Sequence, residues 1–143
     1  MLSDEANRHL LGAAELASLD RILPWTRMVR DGCVTVDGET VDFREYAAGQ
    51  RKNLVLKPTM MHGGLGVVLG WTVDDEEWGR HIAAAVDGPY VLQRRIRAEP
   101  EPFPVGEGVQ PMLLNWGVFT VSRGYGGAIV RGSTDLTCCF HED

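Results

Sequence analysis

Residues 53–71, NLVLKPTMMHGGLGVVLGW, hold two apolar runs on either side of a loop containing Gly63, Gly64 and Gly66. The first run ends in a lysine, Lys57, followed by a proline. Apolar runs this short, bounded by Gly and Pro, predict buried strands over 53–57 and 65–71. Glycines let backbone N–H groups approach an anion without a Cβ in the way, and a lysine at the strand end adds a fixed charge for the same anion. Strand, glycine loop, strand therefore predicts a flap over a polyphosphate. The plainer reading is a hairpin with a glycine-rich tip whose Lys57 reaches out to water. The pattern is not a Walker P-loop, whose lysine follows the glycines at a helix start. It is not a dinucleotide fingerprint either, because an apolar strand-like run, VVLGW, follows the loop.

The rest of the chain predicts an α+β order without repeats. Ser3, with Asp4 and Glu5 behind it, suits a helix start, and Leu10, Leu11, Ala14 and Leu19 continue at helical spacing until Pro24. CVTVDGETVDF, residues 33–43, predicts a hairpin about Asp37-Gly38. REYAAGQ predicts a short helix closed by Gly49. Asp74 with Glu77 begins a capped helix whose apolar face is Trp78, Ile82, Ala85 and Val86. PYVLQRRI, residues 89–96, predicts a strand. AEPEPFPVGEGVQP, residues 98–111, holds four of the seven prolines and predicts an irregular connection. Strands resume in MLLNWGVFTVS and GAIVRG, with residues 123–127 as their turn.

At 143 residues, 44% hydrophobic and 24% charged, the composition is that of one soluble globular domain. A net charge of -6 and a pI near 5.2 argue against nucleic acid or an anionic membrane as partner. No apolar run approaches the roughly 20 residues of a membrane helix, and the acidic N-terminus lacks the form of a signal peptide, which predicts a cytoplasmic protein. Cys33, Cys138 and Cys139 predict reduced thiols. Cys138, Cys139 and His141 make a poor metal set, because adjacent strand residues point to opposite faces.

The succession LVLKP, GGLGVVLG, DDEEWGRHI and PYVLQRRI resembles the ATP-grasp ligases. ILPWTRMV upstream and NWGVFTVSRGYGGAIVRGS downstream narrow the resemblance to the circularly permuted ATP-grasp proteins, which include glutathionylspermidine synthase-like carboxylate–amine ligases. It covers residues 23–133, and the lysine-to-glutamine block is its specific part. It implies a mainly antiparallel sheet with packed helices and a glycine-rich flap, and ATP as the cofactor. It divides the single domain into a lead-in (1–50), a block of lysine, flap, helix and adenine strand (51–97), a connection (98–111) and terminal strands (112–143).

By this resemblance Lys57 meets the α- and β-phosphates, and the backbone of His62, Gly63, Gly64, Leu65 and Gly66 covers the β- and γ-phosphates. Gln93 with the backbone of Arg94, Arg95 and Ile96 lines the adenine pocket. Arg131 meets a phosphate or a substrate carboxylate, or stands exposed. Where the family often has an acid after the glutamine, this chain has Arg94 and Arg95, which favours backbone over side-chain recognition of adenine. The family's Mg²⁺ ligands and a further phosphate-binding lysine lie upstream of the region matched here, so Mg²⁺ is expected only with that upstream region. No metal ligands and no catalytic residues are assigned within this chain, and Asp135, Glu142 and Asp143 lie past the last expected strand. The expectation is the C-terminal, nucleotide-binding part of such a ligase, inactive alone. The alternative is a non-catalytic module for nucleotide sensing or protein contact. Exposure of Trp25, Trp116 and Phe119 would promote a homodimer in either case.

Overall fold

The computed structural model describes residues 2–134, so Cys138, Cys139, His141, Asp135, Glu142 and Asp143 lie outside the described residues. The fold is α+β, and the strand pairings are antiparallel. The chain divides into two compact units, one ending at Ile96 and the other beginning at Arg97.

In the first unit, a 3₁₀ helix (Glu5–Leu10) leads to α1 (Ala13–Ile22), β1 (Thr26–Met28), β2 (Cys33–Val36), β3 (Glu39–Asp42) and α2 (Phe43–Gly49). A second 3₁₀ turn (Arg51–Asn53) precedes β4 (Leu54–Pro58), β5 (Val68–Leu69), α3 (Asp75–Ala85) and β6 (Tyr90–Arg94). Four of these strands form a sheet in the order β1-β6-β4-β5, while β2 and β3 pair as a separate hairpin.

The two core helices begin as the sequence predicts or close to it. The Asp74 carboxylate accepts from the Glu77 N–H at the start of α3, and Asp42 does the same for Glu45 at α2. Their apolar faces, Phe43 and Ala47 of α2 and Trp78, Ile82 and Ala85 of α3, pack with Leu54, Leu56 and Leu92 of the sheet and Val36 of the hairpin. The one polar atom Trp78 brings into this core is satisfied, since its indole N–H donates to the Ala47 carbonyl at 2.9 Å. The β2–β3 hairpin turns at Asp37 and Gly38, both with positive φ, as the Asp-Gly pair predicts.

Several expectations are corrected. The first helix is broken at Leu11-Gly12, where the Glu15 carboxylate caps a fresh start by accepting from the Gly12 N–H at 2.8 Å. Its first cap is Asp4, and Ser3 instead donates to the Thr26 carbonyl. Trp25 is buried against the Tyr46 ring and donates to the Thr35 carbonyl. The strand expected over 65–71 shrinks to Val68–Leu69: Gly66 has a φ of 70°, which no extended strand adopts, and the chain turns again at Gly70.

In the second unit, β7 (Glu101–Val105), β8 (Gly108–Val121) and β9 (Gly124–Ser133) form a sheet in that order. The stretch expected to be irregular is thus β7 and the start of β8. Prolines are tolerated there because β7 is an edge: Pro102 and Pro104, two residues apart, turn the same side outward, where no donor is needed. Pro111 pairs with Pro102 and lies before the β8–β9 ladder, which starts at Leu113. The final turn is Ser122-Arg123 rather than 123–127. Tyr125 and the glycines around it enter β9, with a register irregularity between Phe119 and Thr120.

Gly70 sits where the chain passes Arg51, and a Cβ there would lie 2.0 Å from the Arg51 carbonyl oxygen and 2.9 Å from that of Leu54. Arg51 closes the same corner, donating to the Gly70 and Val73 carbonyls and to Asp75. Gly70→Ala should destabilise the first unit by about 3 kcal/mol in urea unfolding, because backbone must move. Gly79→Ala, on the exposed side of α3 with open space around it, should stabilise by up to about 1 kcal/mol.

Candidate functional site

The register of the four-stranded sheet separates its two faces. Leu56 lies opposite Leu92, and Leu54 opposite Arg94, on the face that meets α2 and α3. The alternate residues face the other way: one row runs Leu69, Val55, Gln93, Thr26, and the next runs Lys57, Val91, Met28. Val55, Leu69 and Thr26 are buried although the two apolar ones are not part of the helix-packed core, and Lys57 and Gln93 are half-buried.

Lys57 and Gln93 meet on this second face. The Lys57 ammonium donates to the Gln93 Oε1 at 2.5 Å, and the Gln93 Nε2 donates to the Thr26 Oγ1 at 3.0 Å. Thr26 in turn donates to the Pro24 carbonyl at 3.0 Å. Three residues from β4, β6 and β1 thus form a polar chain on an otherwise apolar face.

The glycine loop leaves β4 after Pro58, the residue following Lys57. Thr59 is anchored to the Pro89 carbonyl by both its N–H and its hydroxyl. The Leu65 N–H then closes a turn on the His62 carbonyl, and the Val67 N–H one on Gly64. Gly63, Gly64 and Gly66 have φ of 65°, 85° and 70°, and their N–H groups take no part in those two turns. All three values lie in the left-handed region, which a Cβ disfavours. Met60, Met61, His62 and Leu65 are exposed, so the loop carries more apolar side chain than its glycines suggest.

The other expected residues disperse. The Arg94 and Arg95 N–H groups are engaged, donating to the Trp25 and Asn53 carbonyls at 2.9 and 2.8 Å. The Arg94 guanidinium forms a two-pronged pair with Asp37 in the hairpin turn, at 2.7 and 3.2 Å. That of Arg95 lies 3.7 Å over the Trp71 ring, a cation–π contact. Ile96 is exposed. A cavity of about 370 Å³ beside the end of β6 is lined by Asp37, Tyr46, Gln50, Asn53, Arg94 and Arg95. Arg131 lies exposed on β9 of the second unit, across from Asn115. Thr26, Asp37 and Trp71 are the partners that sequence reasoning missed. Each is joined to its partner only by strand pairing or a distant turn, which no local pattern announces.

Among the described residues no group of three or more His, Cys, Asp or Glu side chains is placed to hold a metal ion. No helix among the described residues is long and apolar enough to cross a membrane.

Hydrogen bonds from Arg94, with its charge, hold the Asp37 carboxyl below its usual range against a smaller opposing effect of burial. A carboxyl depressed on folding contributes stability above its unfolded pKa and loses it as pH falls through the folded value. Both partners are well exposed, at 39% and 71%, so the effect should stay within about 1 kcal/mol. Unfolding by urea at a series of pH values below about 5 should show native protein losing this increment and Asp37→Asn lacking it.

Compared with known protein families, with characterised proteins and with solved structures, the chain finds no match.

Proposed function

We propose that this chain is the nucleotide-binding part of an ATP-grasp-like carboxylate–amine ligase, with the ATP phosphates lodged between Lys57 and the loop of residues 62–66. The observation that carries the reading is the meeting of Lys57 and Gln93, thirty-six positions apart, on the sheet face turned from the helices. Both belong to the block that resembles the family, and the glycine loop starts at the same strand end.

The donor set suits phosphate. Lys57 brings a cation, and the left-handed glycines offer N–H groups unobstructed by a Cβ, donor types that suit phosphate oxygens. ATP supplies the phosphoryl group that activates a carboxylate for attack by an amine; the residues here bind and orient it. The Arg94 and Arg95 N–H groups are committed to the Trp25 and Asn53 carbonyls, which leaves recognition of the base to the backbone of Ile96 and to Gln93. Arg131, in the second unit, is a separate candidate for a phosphate or a substrate carboxylate.

Titration of ATP, ADP and adenosine followed by NMR tests the reading. ATP and ADP should bind comparably, with Kd near the millimolar range, about 4 kcal/mol. Shifts should concentrate at residues 57–66 and 93–96. Lys57→Ala should weaken both nucleotides about tenfold, the loss of one charged hydrogen bond, and leave adenosine unchanged. Absence of any shift in these two segments at several millimolar nucleotide would sink the proposal.

A second reading, a non-catalytic module for protein contact, is favoured by the β7–β8–β9 sheet. Pairing places Phe103, Val105, Leu114, Trp116, Val118 and Val130 on one face, and most of these side chains are well exposed. Sedimentation equilibrium distinguishes it: self-association abolished by Trp116→Ser, together with nucleotide silence at Lys57, would favour contact over nucleotide binding.

A further inference from the structure

We infer that Thr26 is a positioning residue for Lys57, acting through the amide of Gln93. A threonine hydroxyl has one proton and two acceptor lone pairs. At 3.0 Å from the Pro24 carbonyl, which can only accept, the Thr26 proton is committed there. Toward Gln93 the hydroxyl can then only accept, so the amide must present its NH₂ to Thr26. The carbonyl oxygen consequently faces Lys57, and an ammonium can only donate. The backbone carbonyl of Pro24 thus fixes the direction of every hydrogen bond up to Lys57.

Burial makes this constraint effective. Thr26 is 6% exposed and Gln93 half-buried, so water does not readily replace a lost partner. Without the Thr26 hydroxyl, Gln93 has two arrangements, each deficient. The native one leaves its NH₂ without the Thr26 acceptor, and the flipped one sets that NH₂ against the ammonium. Either loosens the amide that holds Lys57. The inference deepens the proposed function, in which Lys57 meets phosphate, and the ligand role of this chain rests on that reading. The positioning of Lys57 itself does not.

The test follows the Lys57 ammonium by NMR, through its exchange with water, in the full chain without nucleotide. Thr26→Val keeps shape and removes the hydroxyl, and the exchange should rise about fivefold, the equivalent of one hydrogen bond. Thr26→Ser restores the hydroxyl and should restore slow exchange. Gln93→Glu replaces the amide with two equivalent acceptor oxygens, so it should hold Lys57 whichever way it turns, and adding Thr26→Val should change nothing further. A Thr26→Val protein whose amide spectrum is native and whose Lys57 exchange is unchanged overturns the inference, and so does failure of Thr26→Ser to rescue. Native ATP binding should weaken about fivefold in Thr26→Val. If the ammonium responds as expected while native protein binds no nucleotide, the nucleotide reading falls and the positioning of Lys57 stands.

Discussion

The pairing of β4 with β6 is the constraint on which the first unit depends. Five residue pairs fix it, from Leu54 with Arg94 to Pro58 with Tyr90. In that register the large apolar residues Leu54, Leu56 and Leu92 meet α2 and α3, and Lys57 and Gln93 fall on the opposite face. A slip of one residue in either strand would exchange the faces, exposing leucines and driving a cation into the helix-packed core. The hydrophobic demand of the core therefore places the polar chain without any interaction among the polar residues having to specify the fold.

The same unit shows how cationic side chains are disposed by their surroundings. Arg51 is nearly enclosed and serves backbone carbonyls at the turn between β5 and α3. Arg27 is buried on the core side of β1, held by Glu5 and the Ser3 carbonyl and lying 5.2 Å over Trp25. Arg94 and Arg95, neighbours in sequence, emerge on opposite sides of β6, one toward the hairpin turn and one onto Trp71. Guanidinium groups suit such sites, because a planar fork can satisfy two acceptors or stack on a ring. Lys57 differs in being held by a neutral amide as well as in its place at the mouth of the glycine loop.

The second unit meets a different constraint. Among the described residues its three strands have no helix of their own, and the proline-rich β7 survives as a strand because an edge has one side on which no donor is needed. Composition alone favoured a loop there; the pairing partner, β8, decided otherwise. The same applies to the glycines of residues 124–127, which are turn-like in sequence and become strand once opposed by residues 119–121.

Local chemistry was enough to determine the α+β class, the Asp-Gly hairpin, the Asp74 start of α3 with its Trp78, Ile82 and Ala85 face, and the strands of Lys57 and Gln93. Each follows from a short-range rule: positive φ at a tight turn, a carboxylate on unpaired N–H groups, or apolar periodicity. The left-handed backbone of the loop was legible for the same reason, since Gly63, Gly64 and Gly66 permit it. What only the tertiary structure decided is which distant residues meet. Thr26 reaches Gln93, Asp37 reaches Arg94 and Trp71 reaches Arg95 through strand register and chain return, and the burial of Trp25 depends on Tyr46 and the β2–β3 hairpin closing over it. These contacts join segments whose separation carries no periodic signal, because a hydrogen bond between strands is set by the alignment of whole strands and not by the residues that happen to share it.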